Sequence, residues 1–223
     1  MSLDYSIASI MTRLTDWSGF PKYQLERRVD IFLTPFLESF VTDELKRPAV
    51  LVAPEFPLLS DLREKGARAS RQELSGRTVN ADYLLHLPGD APRWLFLELK
   101  TDAGSFDAEQ ADLYAIAKNR GMRELIEDLG LVFERTEKRH KRKYEKLRSA
   151  IAALAGTDEE PIVIAYLAPS VLRTEAEKAV DHFFSLESFA EQDFARIPPE
   201  HRGLWPYVRD LLRSIRTPQS TAR

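Results

Sequence analysis

The sequence predicts a mixed α/β fold, with a small mixed β-sheet flanked by helices and extra helices closing the chain. Three observations carry this. Two stretches near the start space their apolar residues at three- and four-residue steps. Two strand-like runs, 80–88 and 93–101, are separated only by Gly89-Asp90-Ala91-Pro92, a turn composition. A continuously apolar run at 161–168 follows a long helical region, so the elements do not alternate as in a doubly wound sheet.

Taken in order, 3–15 and 22–46 are expected to be helices. In the second, Leu25, Val29, Phe32, Phe36 and Phe40 mark one apolar stripe, and Pro35 predicts a bend or a break. Residues 49–58 read as a strand whose internal proline assigns it to an edge or a bulge. The polar stretch 60–79, with Gly66 and Gly76, reads as a loop or a short helix. A helix over 106–120 takes Ser105 as N-cap and Gly121 as the residue just past its end. Helix is expected to continue to about 155, broken at Gly130. Residues 161–168 form a buried strand, and helices near 174–190 and 203–216 follow. One domain over 1–216 is expected, with a core at about 22–168, a C-terminal helical annex at 174–216 and a flexible tail at 217–223.

Composition narrows the classes. An apolar share of 43% is enough for a core, and 30% charged residues give a soluble surface. The absence of Cys excludes a disulfide framework and a thiolate zinc site. No signal peptide is expected, and no apolar run approaches the ~20 residues of a membrane span, so the expectation is a cytoplasmic protein. A net charge of −3 is no global signature of nucleic-acid binding, so any phosphate-binding surface must be local.

The hairpin carries the chemistry. With the turn centred on Asp90, opposed residues have numbers that sum to a constant, and Asp82 faces Glu98. Opposed side chains share a sheet face with Cβ atoms about 4.5–5.5 Å apart. Lys100, two residues beyond Glu98, projects from that face as well. Leu95, Leu97 and Leu99 form an apolar row on the other face, while Trp94 and Phe96 lie upstream on the reactive one. Two carboxylates ~5 Å apart repel by about 3 kcal/mol at an effective dielectric of 20. A nearby ammonium, protonation of one acid or a hard divalent cation such as Mg²⁺ relieves this. On the following helix Gln110 and Tyr114 are four residues apart and share a face, with Ala111, Ala115 and Ala117 allowing close approach to a sheet.

Asp82, then Glu98-Leu99-Lys100, then a helix with Gln110 and Tyr114, resembles the PD-(D/E)xK nuclease superfamily. The resemblance is to the branch with a Gln-x-x-x-Tyr motif, which includes recombination and CRISPR-associated exonucleases. It covers about 22–168, and Ala81 stands where the superfamily has Pro. It implies a restriction-endonuclease-like core and metal-dependent hydrolysis of phosphodiester bonds in nucleic acid, DNA ahead of RNA. Asp82, Glu98 and the carbonyl of Leu99 would hold Mg²⁺, or Mn²⁺ in its place. Lys100 would orient the attacking water, with Gln110 and Tyr114 as positioning residues. The superfamily's further acid, from an early helix, maps to Glu26, with Glu55 and Glu38 as rivals. Phosphate contacts are expected from Arg68, Arg71 and Arg77, or from the basic run 138–143, for which a solvated helix face paired to Glu134, Glu137 and Glu145 is the competing reading. His86 reads as a packing residue. A catalytically silent nucleic-acid-binding or protein-interaction domain is the alternative function, and a homo-oligomer stays open.

Overall fold

In the computed structural model, which describes residues 7, 9–14, 26–65, 74–102, 104, 106–154, 158–193 and 196–215, five strands form one sheet in the order β1-β2-β3-β4-β5. They are β1 (Val50–Leu59), β2 (Thr78–Leu87), β3 (Arg93–Leu99), β4 (Ile162–Ala168) and β5 (His182–Ser185). The first three run antiparallel, and β3–β4 and β4–β5 are parallel. Pro54 and Pro57 lack the amide hydrogen a central strand must donate, and β1 accordingly lies at the sheet edge. Its register shifts between Leu51 and Ala53, so both the expected edge and the expected bulge occur.

Helices cover both faces. On one, Tyr83, Leu85, Leu95, Leu97 and Leu99 pack with α1 (Glu26–Leu45) and with the C-terminal helices α4 (Leu186–Ala190) and α5 (Trp205–Ile215). On the other, Leu84, Trp94, Phe96, Ile164 and Tyr166 meet α2 (Ala108–Arg135), with α3 (Lys141–Ala152) alongside it. Alternation along each strand sends neighbouring residues to these two layers. α1 continues through Pro35, because Leu33, Phe36, Leu37 and Phe40 on either side are buried, and that burial exceeds the roughly 3 kcal/mol cost of a helical proline. No described helix is long and apolar enough to cross a membrane.

Three expectations are corrected. α2 starts later than predicted: Asp107 is the N-cap and accepts from the Glu109 and Gln110 amides at 2.9 and 3.2 Å, while Ser105 lies outside the described residues. Gly121, at φ 78°, does end the first helical segment, but a second segment resumes at once. The chain stays helical through Gly130, where buried Leu129, Leu131 and Val132 outweigh glycine's ~1 kcal/mol penalty. The helix expected near 174–190 breaks into a single turn at Arg173–Ala176, the strand β5 and α4. His182-Phe183-Phe184-Ser185 suits a strand, and it pairs with Ala165–Ala168 of β4. The Asp181 carboxylate accepts the Ile164 amide at 2.8 Å just before that pairing begins. The C-terminal elements thus extend the sheet and complete its first core, with Phe184 and Phe189 packed on Phe40.

The β2–β3 connection fixes the site. Gly89 takes φ 125°, a value open to glycine alone among common residues. Arg47, at the end of α1, donates through Nη2 to the carbonyls of Leu87 (2.9 Å), Pro88 (3.1 Å) and Ala91 (2.8 Å). Replacing Arg47 with Ala is expected to cost about 2–3 kcal/mol in urea unfolding, since three carbonyls lose a charged donor. A loss below about 0.5 kcal/mol, the level of a neutral surface change, would show that the turn holds its register unaided.

Candidate functional site

Strand register brings the two carboxylates together. The β2–β3 pairs run Leu87↔Arg93, His86↔Trp94, Leu85↔Leu95, Leu84↔Phe96 and Tyr83↔Leu97, and one further step sets Asp82 against Glu98. Asp82 is half-buried, and its Oδ2 accepts the Leu99 amide at 2.8 Å. Glu98 is 4% exposed and Lys100 7%. The Lys100 amide donates to the Leu167 carbonyl at 2.9 Å, so pairing to β4 persists past the end of β3 and keeps Lys100 on the face of Glu98.

The first turns of α2 close the network. Lys100 Nζ donates to Glu98 Oε1 at 2.8 Å and to Gln110 Oε1 at 3.0 Å. Gln110 Nε2 donates to Glu98 Oε1 at 2.8 Å and to the Tyr114 hydroxyl at 3.0 Å. Tyr114 donates its own hydrogen to Glu98 Oε2. The amide orientation of Gln110 is set by its neighbours, its oxygen facing an ammonium and its nitrogen a carboxylate. Ala111 and Ala117 let α2 approach the sheet, while Ala115 faces solvent. Burial, then the charge of Glu98, holds the Tyr114 hydroxyl well above the usual phenol range, so it stays a donor.

A residue that pattern reading missed stands beside this network. Tyr166 of β4 is paired in register with Glu98. It is fully buried, and its hydroxyl has no hydrogen-bond partner among the described residues. Its ring meets that of Tyr114 edge-on at 6.4 Å. Burial, then the charges of Glu98, Asp107 and Asp82, pushes this hydroxyl above the phenol range. The one available signal was a lone hydroxyl within the otherwise aliphatic run 162–168, a position that reads as core.

The remaining candidates are dispersed. Glu26 opens α1, but its side chain lies outside the described residues. Glu38 accepts the Leu51 amide at 2.7 Å from the helix covering the other face. Glu55 is exposed at φ 56°, and the pairs Pro54↔Tyr83 and Phe56↔Ala81 on either side bracket it opposite Asp82. Among the described residues no group of three or more His, Asp or Glu could hold a metal ion. Arg68 and Arg71 lie outside the described residues. Arg77 is exposed in a cleft of about 520 Å³ that Gln110 also lines, together with Arg63 and four acids, Asp61, Glu64, Asp107 and Glu109. Among the described residues that lining sets these four acids against two arginines. His86 is buried, hydrogen-bonded to Glu160 at 2.7 Å and packed on Trp94, a structural role.

No family model, curated protein or solved structure matches the chain. The functional reading therefore rests on the geometry above.

The two buried tyrosines should respond oppositely to loss of the hydroxyl. Tyr114→Phe removes a donor from a buried carboxylate and is expected to cost about 1.5–3 kcal/mol in chemical unfolding. Tyr166→Phe removes an unsatisfied group and is expected to leave stability unchanged or raise it by about 1 kcal/mol. Equal losses in both variants would show that the Tyr166 hydroxyl has a partner in solution.

Proposed function

We propose that this protein is a metal-dependent phosphodiester hydrolase of the PD-(D/E)xK type, with a restriction-endonuclease-like core and nucleic acid, DNA ahead of RNA, as its substrate. The observation that carries the reading is the convergence of Asp82, Glu98 and Lys100 on one sheet face beneath Gln110 and Tyr114. Two carboxylates and the Leu99 carbonyl make a hard oxygen donor set. Mg²⁺ commonly uses only one or two carboxylates and keeps several waters, so this set fits it, and Mn²⁺ as well. When bound, such an ion supplies a water of lowered pKa and offsets charge on the phosphoryl oxygens.

The chain's own residues divide the remaining work. Asp82 is oriented by the Leu99 amide. Glu98 is oriented by three donors, Lys100, Gln110 and Tyr114. Lys100, held between Glu98 and Gln110, presents its ammonium toward the shared face, where it can orient an attacking water and stabilise developing negative charge. Gln110 and Tyr114 act through Glu98 and Lys100 and are positioning residues.

A second reading, a nucleic-acid-binding domain without catalysis, draws on a specific observation. Both Glu98 oxygens already accept internal hydrogen bonds, and no third acid joins the pair among the described residues. Cleavage separates the readings. Wild-type protein with Mg²⁺ or Mn²⁺ is expected to cut labelled single- or double-stranded DNA, or RNA, and to stop in EDTA. Asp82→Asn and Glu98→Gln are expected to abolish cutting, Lys100→Met to slow it by at least about 10²-fold, and Gln110→Ala by about 10–100-fold. Cutting that survives all of these substitutions would end the hydrolase reading.

A further inference from the structure

The chain is acidic overall, yet it carries one strongly basic run. Residues 138–143 are all basic, and Lys146 and Arg148 follow. They occupy a short 3₁₀ turn and the start of α3. The expected solvated face, laced by ion pairs to Glu134, Glu137 and Glu145, is only partly formed. Among the described residues the run makes one ion pair, Arg139 to Glu137 at 2.8 Å. Lys141 and Arg148 instead flank the Phe133 ring, at 4.9 and 5.4 Å from its centroid. Lys143 and Lys146 are exposed and pair with no described carboxylate.

Those two lysines border a groove of about 570 Å³ between α3 and the edge strand β1. One wall is His140, Lys143, Tyr144 and Lys146, and the other includes Pro54 and Asn80. The groove lies on the sheet face that carries the carboxylate pair, since Tyr144 and Leu147 of α3 pack on the same core as Phe96, Tyr114 and Tyr166. Asn80 precedes Asp82 by two residues on β2, a step of about 7 Å along the strand. Among the described residues Glu55, bracketed opposite Asp82, is the one acid in the lining. Among the described residues the cleft on the Gln110 side has the opposite balance, with four acids against Arg63 and Arg77.

A groove with ammonium groups on its rim and an aromatic ring and prolines in its wall suits a single nucleic-acid strand. Phosphates take the cations, and an unstacked base lies against the ring. A duplex keeps its bases stacked inside and offers nothing to that apolar wall. We infer that the groove between α3 and β1 is the track for a single nucleic-acid strand leading to Asp82 and Glu98, with Lys143 and Lys146 as its phosphate contacts. This rests on the hydrolase reading for its destination, but binding is measured apart from cutting.

The test is fluorescence anisotropy of a 5′-labelled single-stranded oligonucleotide and of its duplex, in EDTA, with wild type, Lys143→Glu/Lys146→Glu and Lys143→Gln/Lys146→Gln. The Glu double variant is expected to bind the single strand roughly tenfold or more weakly, with the slope of log affinity against log salt reduced by ~1.4. The Gln variant, built from a strong helix former, should show the same direction with an unchanged thermal midpoint. Arg77→Glu, in the other cleft, should bind as wild type does. Unchanged affinity in both lysine variants, a preference for duplex, or a loss confined to Arg77→Glu would overturn the inference. A protein that binds through these lysines but never cuts keeps the groove and loses the hydrolase reading. One that cuts normally with both lysines reversed, at unchanged affinity, keeps the hydrolase reading and loses the groove.

Discussion

The register of the β2–β3 hairpin is the constraint on which the candidate site depends. Side chains alternate between faces with a period of two, so a slip of one residue would move Asp82 into the layer of Leu85 and Leu97. Both faces of this sheet are covered by helices, which makes such a slip costly along the whole strand. Arg47 adds a local clamp by gathering the carbonyls on either side of Gly89. The site is thus held by the hydrophobic layering of the fold and by one guanidinium about 35–50 residues away in sequence from the side chains it aligns.

The second constraint is electrostatic. Glu98 and Lys100 are both nearly excluded from solvent, and removing two charges from water costs several kcal/mol per ion. The pair is tolerable because Gln110 bridges it and Tyr114 supplies a further donor. A hydrophobic replacement of such a pair is often no less stable, so stability alone gives little reason to keep one here. Buried, mutually compensating charges at the end of an otherwise apolar strand are a feature shared by reactive sites and by structural ion-pair networks. Tyr166, with its unsatisfied hydroxyl beside the same carboxylate, is a second place where this region departs from what packing alone would favour.

Much of this was legible in the residues. The turn at 89–92 fixed the sum rule that pairs Asp82 with Glu98, and four-residue spacing put Gln110 and Tyr114 on the helix face that meets them. Pro54 and Pro57 marked β1 as an edge. What escaped had tertiary causes. β5 resembles a helical stretch by the spacing of Ala176, Val180 and Phe184, and becomes a strand only because β4 offers it an open edge. The break expected at Gly130 yields to burial, and Gly121 interrupts α2 without ending it. Of the arginines assigned to phosphate in the loop before β2, Arg77 alone lies among the described residues, and Asp61, Glu64, Asp107 and Glu109, spread along the chain, line the same cleft.

The claim at the centre is that Asp82 and Glu98 together hold one divalent cation. Titrating the protein with Mn²⁺ and following the free ion by electron paramagnetic resonance measures this without reference to any substrate. One bound Mn²⁺ per chain is predicted, with affinity lowered at least about tenfold in Asp82→Asn and in Glu98→Gln alike. Wild type that takes up no Mn²⁺, or equal uptake by wild type and both variants, would contradict the account.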